Sequence, residues 1–282
     1  MRSLAIAAAL CMGLTGASLA FDPDLVGRLK ATGDCESCDL SGASLMNGAF
    51  ANAALRRANL RESDLKGIDL SGSDLTGSDL RRSNLEKANL AGAVVESARV
   101  AGADMEKAVL AKADFTRADL REVDLGKADL REAVLNDADL RNALMKRADL
   151  RGAQLVRAQL QSAKLERSDL SGANGSRADF SDADLDRVRM LGANMQRADF
   201  SDSRLERTNF SGADLVGAIF SGAILRRTNF SDADLSDAIG LRQERLDAAC
   251  GSPQTKLPDG LTLRTCEMEA EAASDIAVGP DS

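Results

Sequence analysis

The sequence predicts an all-β solenoid, a chain that winds repeatedly around one axis and stacks short strands along it. A large apolar residue returns at every fifth position from Leu40 to Leu235, except at Gly175, and the residue two places earlier is nearly always Ala or Ser. This period fits neither an α-helix, which repeats about every 3.6 residues, nor a long strand, which alternates. Aromatic residues make up only 3% of the chain, and His, Trp and Tyr are absent. The apolar residues must therefore pack by repetition, without a core of large aromatic side chains.

Each five-residue unit is interpreted as a very short strand followed by a turn. Residues two apart lie on the same side of an extended chain, so the small and the large apolar residue face one interior. Asp or Asn often precedes the large residue, and charged residues, Ser or Gly follow it, as suits a turn. Such units bury their apolar pairs only by stacking, with the backbone of one coil bonded to the next as in a parallel sheet.

A second period, of twenty residues, indicates how many units form one coil. Twenty residues are four units, so like residues would lie above one another in a four-sided coil. Two coils of two units fit the same spacing, and the period leaves that alternative open. The clearest set with this spacing is basic: Lys87, Lys107, Lys127, Arg147, Arg167, Arg187, Arg207 and Arg227.

Units such as "ADLRE", "ANLAG", "ADFTR" and "SDLSG" resemble the A(D/N)LXX motif of the pentapeptide repeat family. The resemblance covers residues 39–240 and implies a right-handed quadrilateral β-helix with four repeats per coil. The central Leu or Phe and the preceding small residue would then point inward. The implied rod has about ten coils and, at ~4.8 Å per coil, a length of roughly 50 Å.

Gly175 departs from the repeat because it stands where a large residue belongs. We expect a void of side-chain size there, which Phe180 or Met195 is placed to fill. On this basis Gly175→Leu is predicted to be tolerated or stabilising, and a lower melting temperature would show that the space is already occupied.

Residues 21–38 are predicted to form a helical cap, because the open edge of a stack of coils invites aggregation unless it is covered. In "DPDLVGRLKATG", Asp22 is expected to be the N-cap residue, Pro23 the first helical residue and Gly33 the helix stop.

Residues 241–266 are predicted to cap the other end of the stack. The stretch "LRQERLDAACG" indicates a short helix ended by Gly251, and a turn with a short strand follows in "LPDGLTLRTC". The acidic segment 267–282 is predicted to be disordered.

Residues 1–20, "MRSLAIAAALCMGLTGASLA", are predicted to be a signal peptide, with a basic start, an apolar stretch and a small-x-small cleavage site before Phe21. An uncleaved membrane anchor is the alternative, because the uncharged stretch is at the lower limit for spanning a bilayer. With cleavage, the mature protein would be periplasmic or secreted, without stable membrane insertion and in a compartment where disulfides persist.

Four cysteines follow the predicted signal peptide and are disulfide candidates: Cys35, Cys38, Cys250 and Cys266. Three pairings are possible. The local pairing of 35 with 38 and 250 with 266 is favoured, because the ends of a rod lie tens of ångströms apart. A redox role for the C-x-x-C is the alternative. It is disfavoured because Cys38 occupies an inward slot and no βαβ pattern surrounds it.

The sequence indicates a non-enzymatic scaffold that binds a protein partner in the cell envelope. Its carboxylates fall mostly in the turn-forming slot, and no nucleophile–base pair, phosphate loop or metal-ligand cluster is present. We therefore predict no catalytic, cofactor-binding or metal-binding residues, and no cofactor. An exposed coil end also permits a homodimer.

The family resemblance raises one other function, since some cytoplasmic members bind DNA gyrase by imitating the shape and charge of DNA. Residues 39–240 carry nearly balanced charge, far from the charge density of duplex DNA. An export signal would also separate the protein from that target. Inhibition of a DNA-binding protein is therefore the less favoured alternative, and no nucleic-acid partner is predicted.

The basic set offers one candidate interaction patch. An acid precedes five of its members, whereas Lys127, Arg147 and Arg227 follow non-acidic residues. Lys127, Lys146 and Arg147 are therefore predicted to form a basic patch for an anionic partner. The alternative is a solvated face, partly neutralised by Asp124.

Overall fold

The computed structural model describes residues 23–266. Three predictions lie outside these residues: the signal peptide at 1–20, Asp22 as a helix N-cap, and the acidic segment 267–282. The repeat region is a β-helix solenoid without long strands, in which each unit contributes a single bridging residue and a turn.

Parallel backbone bridges join every coil to the next. Asp39 bridges to Asn59, Ser44 to Asp64, and the series continues at five-residue steps with partners twenty residues apart. Four bridging positions therefore occur in each twenty-residue coil. This spacing confirms the four-unit coil and excludes the two-unit alternative.

The backbone groups of each unit are satisfied along the axis of the solenoid. In one unit, Leu125 N–H donates to the Leu144 carbonyl (2.6 Å) and Lys127 N–H donates to the Lys146 carbonyl (3.0 Å). Leu144 N–H in turn donates to the Val123 carbonyl at 2.9 Å. Because buried backbone groups without partners are costly, this ladder holds successive coils in register.

The corner between two units is a tight turn that explains the preference for Asp or Asn. Ala128 N–H donates to the Leu125 carbonyl at 3.0 Å, and Lys127 between them has a φ of 58°, the sign that a type II turn requires at its third residue. Asp124 Oδ1 accepts a hydrogen bond from Gly126 N–H at 2.8 Å. A short side-chain acceptor before the large residue thus stabilises the turn that follows it.

The core is a column of inward-facing large and small side chains, as the resemblance implied. Most units supply one buried large apolar residue and one buried Ala or Ser, and the last coils are rich in phenylalanine. The Phe200 ring stacks on Phe180 and Phe220 at centroid distances of 5.2 and 5.4 Å. The Phe210 ring, which stacks on Phe230 at 5.4 Å, meets Phe200 edge-on at 5.5 Å. Two ring columns therefore interlock across the interior.

The space beside Gly175 is filled by the Met195 side chain, which favours the opposite outcome to the tolerated or stabilising substitution predicted from the sequence. A Cβ atom on Gly175 would lie 2.5 Å from Sδ and 3.1 Å from Cε of Met195, and 3.6 Å from the Phe180 ring. Met195 stands one coil further along the same column and reaches back into the slot. A long, adaptable thioether compensates here for a missing side chain.

Gly175→Leu is therefore expected to lower the melting temperature. The new side chain and Met195 would compete for one space, and Met195 is fully buried. Overpacking of this kind costs about 1–3 kcal/mol. The double variant Gly175→Leu/Met195→Ala is expected to recover much of the loss, because the two positions share one volume. A single variant that melts at or above the wild-type temperature would contradict this account.

The N-terminal end of the solenoid is covered by a helix, α1 (Pro23–Thr32). Leu29 is buried, and Leu25 and Val26 pack against the core. Gly33 has a φ of 70°, and its N–H donates to the Leu29 carbonyl at 2.9 Å. Gly33 ends the helix in the left-handed conformation that glycine adopts at little cost.

The C-terminal end carries a helix of one turn, α2 (Gln243–Leu246), whose Leu246 is buried against the core. The predicted extension of this helix to Gly251 is wrong. Cys250 already rejoins the solenoid, where it bridges to Asn229 and its N–H donates to the Thr228 carbonyl at 3.0 Å. Gly251 then bridges to Thr265, so the final segment adds one more strand position to the stack.

Candidate functional site

The basic residues that recur every twenty positions share one corner of the solenoid, which we call the basic column. All eight adopt a positive φ, between 55° for Arg207 and 62° for Arg167. This conformation follows from their place in the turn, where each N–H donates to the next coil. Because successive coils lie ~4.8 Å apart, the cations form a line parallel to the axis.

Most of the basic column is paired with acids at the neighbouring turn position. The pairs within 4 Å are Lys87–Glu86, Lys107–Glu106, Lys127–Glu106, Arg187–Asp186 and Arg207–Asp186. Hydrogen bonds from Lys107 and Lys127 hold the pKa of the Glu106 carboxyl below its usual value. Exposed pairs of this kind contribute little stability, so their main effect is to neutralise this face.

The predicted basic patch coincides with a depression of about 630 Å³ on this face. Gly126 lacks a side chain at a position that Glu106 occupies one coil earlier and Lys146 one coil later, and this gap opens the surface. The structure thus brings the three predicted residues together. The charged and large side chains that line the depression are Glu106, Asp124, Lys127, Leu144, Lys146, Arg147, Lys164 and Glu166.

The cations of the depression differ in how far they are neutralised. Lys127 Nζ lies 3.1 Å from Glu106 Oε1. Lys146 and Arg147 have no ion-pair partner within 4 Å among residues 23–266 and are exposed. The Asp124 carboxylate accepts its hydrogen bond from a backbone amide. Asp124, the acid expected to neutralise part of the patch, therefore forms no ion pair among residues 23–266. Glu106 partly neutralises the patch instead, through its ion pair with Lys127.

Three lining residues were missed by sequence reasoning: Leu144, Lys164 and Glu166. Leu144 bridges to Asp124 on one side and Lys164 on the other, so the spacing of twenty was the signal that could have found them. The Leu144 side chain is 45% exposed although it is apolar. Glu166 Oε2 is buried and has no hydrogen-bond partner among residues 23–266. The depression thus combines unpaired cations, an apolar side chain and an unsatisfied acceptor.

The four candidate cysteines form two local disulfides, Cys35–Cys38 and Cys250–Cys266. Cys35 and Cys38 are both buried at the first coil. A redox-active C-x-x-C needs an accessible sulfur for exchange, and the burial of this pair leaves little access. The bond instead links the turn after α1 to the start of the repeat.

Residues 23–266 contain no group of three or more Cys, Asp or Glu side chains arranged to hold a metal ion. Neither helix in this part of the chain has the length and apolarity needed to cross a membrane.

Comparison with protein families finds a match along most of the repeat region. A family model described as pentapeptide repeats matches this chain in eight copies. A separate comparison with curated protein sequences found no match. The matched residues are 38–77, 88–126, 113–152, 153–192 and 203–239.

Solved structures of repeat proteins are also similar. HetL, a pentapeptide repeat protein involved in heterocyst differentiation regulation in the cyanobacterium Nostoc, is 25% identical, with 82% of this chain and 98% of HetL covered and a TM-score of 0.33. A trypsin-treated form of QnrB1, a plasmid-mediated fluoroquinolone resistance protein, is 15% identical, with 60% and 87% covered and a TM-score of 0.45. A thylakoid-lumen pentapeptide repeat protein from Arabidopsis thaliana is 26% identical, with 49% and 68% covered and a TM-score of 0.21.

Proposed function

The chain belongs to the pentapeptide repeat family, and from this premise we propose that it is a non-enzymatic scaffold that binds an anionic protein partner along one side. The observation that carries the proposal is the depression around Lys146 and Arg147, where these two adjacent exposed cations have no ion-pair partner among residues 23–266. Unpaired cations on a surface attract a partner of opposite charge and bring it into register.

The solenoid suits this function because it presents side chains from a rigid backbone. Every unit is bonded to the coils before and after it, so the spacing between Lys127, Arg147 and Lys164 is fixed before a partner arrives. Preorganisation of this kind reduces the entropy lost on binding. Leu144 adds an exposed apolar contact among the cations, which favours a partner with an apolar side chain close to its acidic groups.

We also infer a right-handed sense from the family, about ten coils from the forty units of the sequence, and caps formed by α1 and the segment after residue 240. The pairs Cys35–Cys38 and Cys250–Cys266 would strengthen both ends in an oxidising compartment. A homodimer through a coil end would use the surfaces beyond these caps.

The proposed location is the periplasm or the cell exterior, which the apolar segment before Phe21 supports. We expect N-terminal sequencing of protein recovered from the exported fraction to start at Phe21. The same chain held in the cytoplasm should retain residues 1–20. An exported form that still carries these residues would favour the membrane anchor over a cleaved signal.

The test of the patch is charge reversal. The triple variant Lys127→Glu/Lys146→Glu/Arg147→Glu is expected to reduce capture of a crosslinked envelope partner by about tenfold or more, which corresponds to ~1.4 kcal/mol of binding free energy. The matched control reverses three exposed arginines that have no ion pair among residues 23–266 and lie outside the depression: Arg177, Arg197 and Arg242. Equal capture by the wild type and the patch variant would remove the patch from the proposal.

A further inference from the structure

A second depression lies at the C-terminal end of the solenoid, and we call it the C-terminal groove. It has a volume of about 820 Å³, and the Cys250–Cys266 disulfide forms part of its lining. Both cysteines of this disulfide are partly exposed. The Cys35–Cys38 disulfide differs, because its cysteines are 0% and 5% exposed. The C-terminal disulfide is therefore the more accessible of the two to a molecule from solution.

Three arginines also line the C-terminal groove, Arg207, Arg227 and Arg264, and no carboxylate of residues 23–266 does. Arg227 and Arg264 have no ion-pair partner within 4 Å among residues 23–266. Arg207 reaches only Asp186 in this part of the chain, at 3.8 Å. The disulfide thus shares a groove with guanidinium groups that are scarcely neutralised.

The three arginines follow one corner of the solenoid. Arg207 and Arg227 occupy this corner in successive coils, which lie ~4.8 Å apart. Arg227 N–H donates to the Ala248 carbonyl at 2.6 Å, and Arg264 Nε donates to the next carbonyl, that of Ala249, at 3.1 Å. A cleft lined by charge of one sign concentrates ions of the opposite sign. We therefore expect the groove to attract small anions.

Two acids at neighbouring turns, Asp232 and Asp247, leave this charge in place. Ser252 Oγ donates to Asp232 Oδ1 and Gln243 Nε2 donates to Asp247 Oδ1, each at 2.7 Å. Neither acid lines the groove or forms an ion pair with another of residues 23–266. The lining itself is therefore positive.

The Cys266 sulfur has polar neighbours suited to a thiol or a thiolate. Ser231 Oγ donates to it at 3.4 Å. Asn229 Oδ1 lies 3.1 Å from it and is held in place by the Ser231 N–H, which donates to it at 2.8 Å. A thiolate at Cys266 would accept from the Ser231 hydroxyl, and a thiol there would donate to Asn229 Oδ1. Because a disulfide opens more readily towards the sulfur that better holds the negative charge, Cys266 is the better leaving sulfur.

We propose that Cys250–Cys266 is a thiol–disulfide exchange site for small anionic thiols, whose negative group binds the arginines of the C-terminal groove. The incoming thiolate attacks the Cys250 sulfur and forms an S–S bond with it, and the Cys250–Cys266 bond breaks. The electron pair of that bond leaves on the Cys266 sulfur, which takes a proton from water. The product is a mixed disulfide at Cys250, and no external oxidant is needed. This exchange is independent of the patch at Lys146, so either proposal can fail without the other.

The arginines favour this exchange in two ways that experiment can separate. They raise the local concentration of an anionic thiol, and they favour the thiolate form of the leaving sulfur. The first effect depends on the charge of the reagent, whereas the second acts equally on every reagent. The ratio of the rates for charged and uncharged thiols therefore isolates recognition by the groove.

The test treats the oxidised full chain separately with three thiols. These are 2-mercaptoethanesulfonate, 2-mercaptoethanol and 2-mercaptoethylamine, which carry a negative charge, no charge and a positive charge beside the thiol. Each rate is divided by the rate of the same thiol with bis(2-hydroxyethyl) disulfide, an uncharged reference, to remove differences in intrinsic reactivity. Timed samples are quenched with acid, free thiols are alkylated, and the modified cysteines are assigned by mass spectrometry.

At low ionic strength the sulfonate is expected to react with Cys250–Cys266 about fivefold or more faster than 2-mercaptoethanol, and the amine more slowly than both. The mixed disulfide should be carried by Cys250. The buried pair Cys35–Cys38 is expected to react about tenfold or more slowly than Cys250–Cys266 with the sulfonate, because exchange requires access to the sulfur.

Two double variants make the result specific. Arg207→Gln/Arg227→Gln is expected to bring the ratio of the sulfonate rate to the 2-mercaptoethanol rate close to one. The matched control, Arg177→Gln/Arg197→Gln, changes two exposed arginines outside the groove and should keep the wild-type ratio. All four positions have φ between 55° and 60°, so both variants make the same demand on the turns. Raising the ionic strength from about 0.01 M to about 1 M should also abolish the preference, because the Debye length falls from ~30 to ~3 Å.

The proposal is overturned if the three thiols react with Cys250–Cys266 at equal normalised rates, or if Cys35–Cys38 reacts as fast. A preference for the sulfonate that survives in high salt or in Arg207→Gln/Arg227→Gln would also overturn it, since the groove would then not be its source. A mixed disulfide carried mainly by Cys266 would overturn the assignment of Cys266 as the leaving sulfur.

Discussion

Leu130→Asp is expected to destabilise the protein by about 3–5 kcal/mol, the range observed when a buried charge has no partner. Leu130 is fully buried, and the residues above and below it in the same column, Leu110 and Leu150, are buried as well. A carboxylate at this position would lose its water and gain no hydrogen-bond donor. Because each coil contacts only its neighbours, the defect would also weaken the coupling between the two halves of the stack.

Chemical denaturation with circular dichroism detection measures this loss. Leu144→Asp is the matched control, since it makes the same substitution on an outward-facing leucine with 45% exposure. Exposed substitutions usually change stability by less than ~0.5 kcal/mol. Similar losses in both variants would contradict the assignment of every fifth residue to the interior.

Phe200→Ala is the second substitution with a large expected effect, a loss of about 3–5 kcal/mol. Phe200 is fully buried and is the centre of the ring cluster, stacked between Phe180 and Phe220 and edge-on to Phe210. Removing it leaves a cavity that the rigid coils cannot close. It also abolishes three ring contacts, each worth about 0.5–1.5 kcal/mol beyond the buried area.

The variant Phe115→Ala distinguishes the stability lost with the ring contacts from the stability lost by creating a cavity. Phe115 is equally buried at the same kind of position, but it has no ring neighbour among residues 23–266. We expect thermal or chemical unfolding to show a smaller loss for this variant than for Phe200→Ala. Equal losses would mean that the stacked columns contribute nothing beyond their buried area.

The repeat region could be predicted from the sequence because its determinants are local. The alternation of Ala128 and Leu130 and the turn acceptor Asp124 act within one five-residue unit, and the same unit recurs throughout the region. Once the unit is known, stacking follows from the need to bury its apolar side and pair its backbone. The period of twenty residues also predicted which residues of successive coils are neighbours, and the bridges between residues twenty apart confirm this prediction.

The features that could not be predicted depend on contacts between coils. The slot at Gly175 is filled because the Met195 side chain bends into it, and a rotamer choice of this kind leaves no sequence signal. The end of α2 at Leu246 likewise depends on Cys250 finding a partner in the last coil. The depression at Lys146 needed Leu144 and Lys164, which became neighbours only through their bridge.

The bridges between residues twenty apart also mean that the position of a residue in the sequence determines its direction around the axis. The direction in which a side chain points around the solenoid axis depends only on the number of five-residue units that precede it. Deletion of one five-residue unit between Lys127 and Arg147 would rotate all later residues by a quarter turn about the axis. The two cations would then lie on different sides of the solenoid. Deletion of four units would shorten the solenoid by one coil and leave the direction of every remaining side chain unchanged. Length and facing can therefore be varied separately in this architecture.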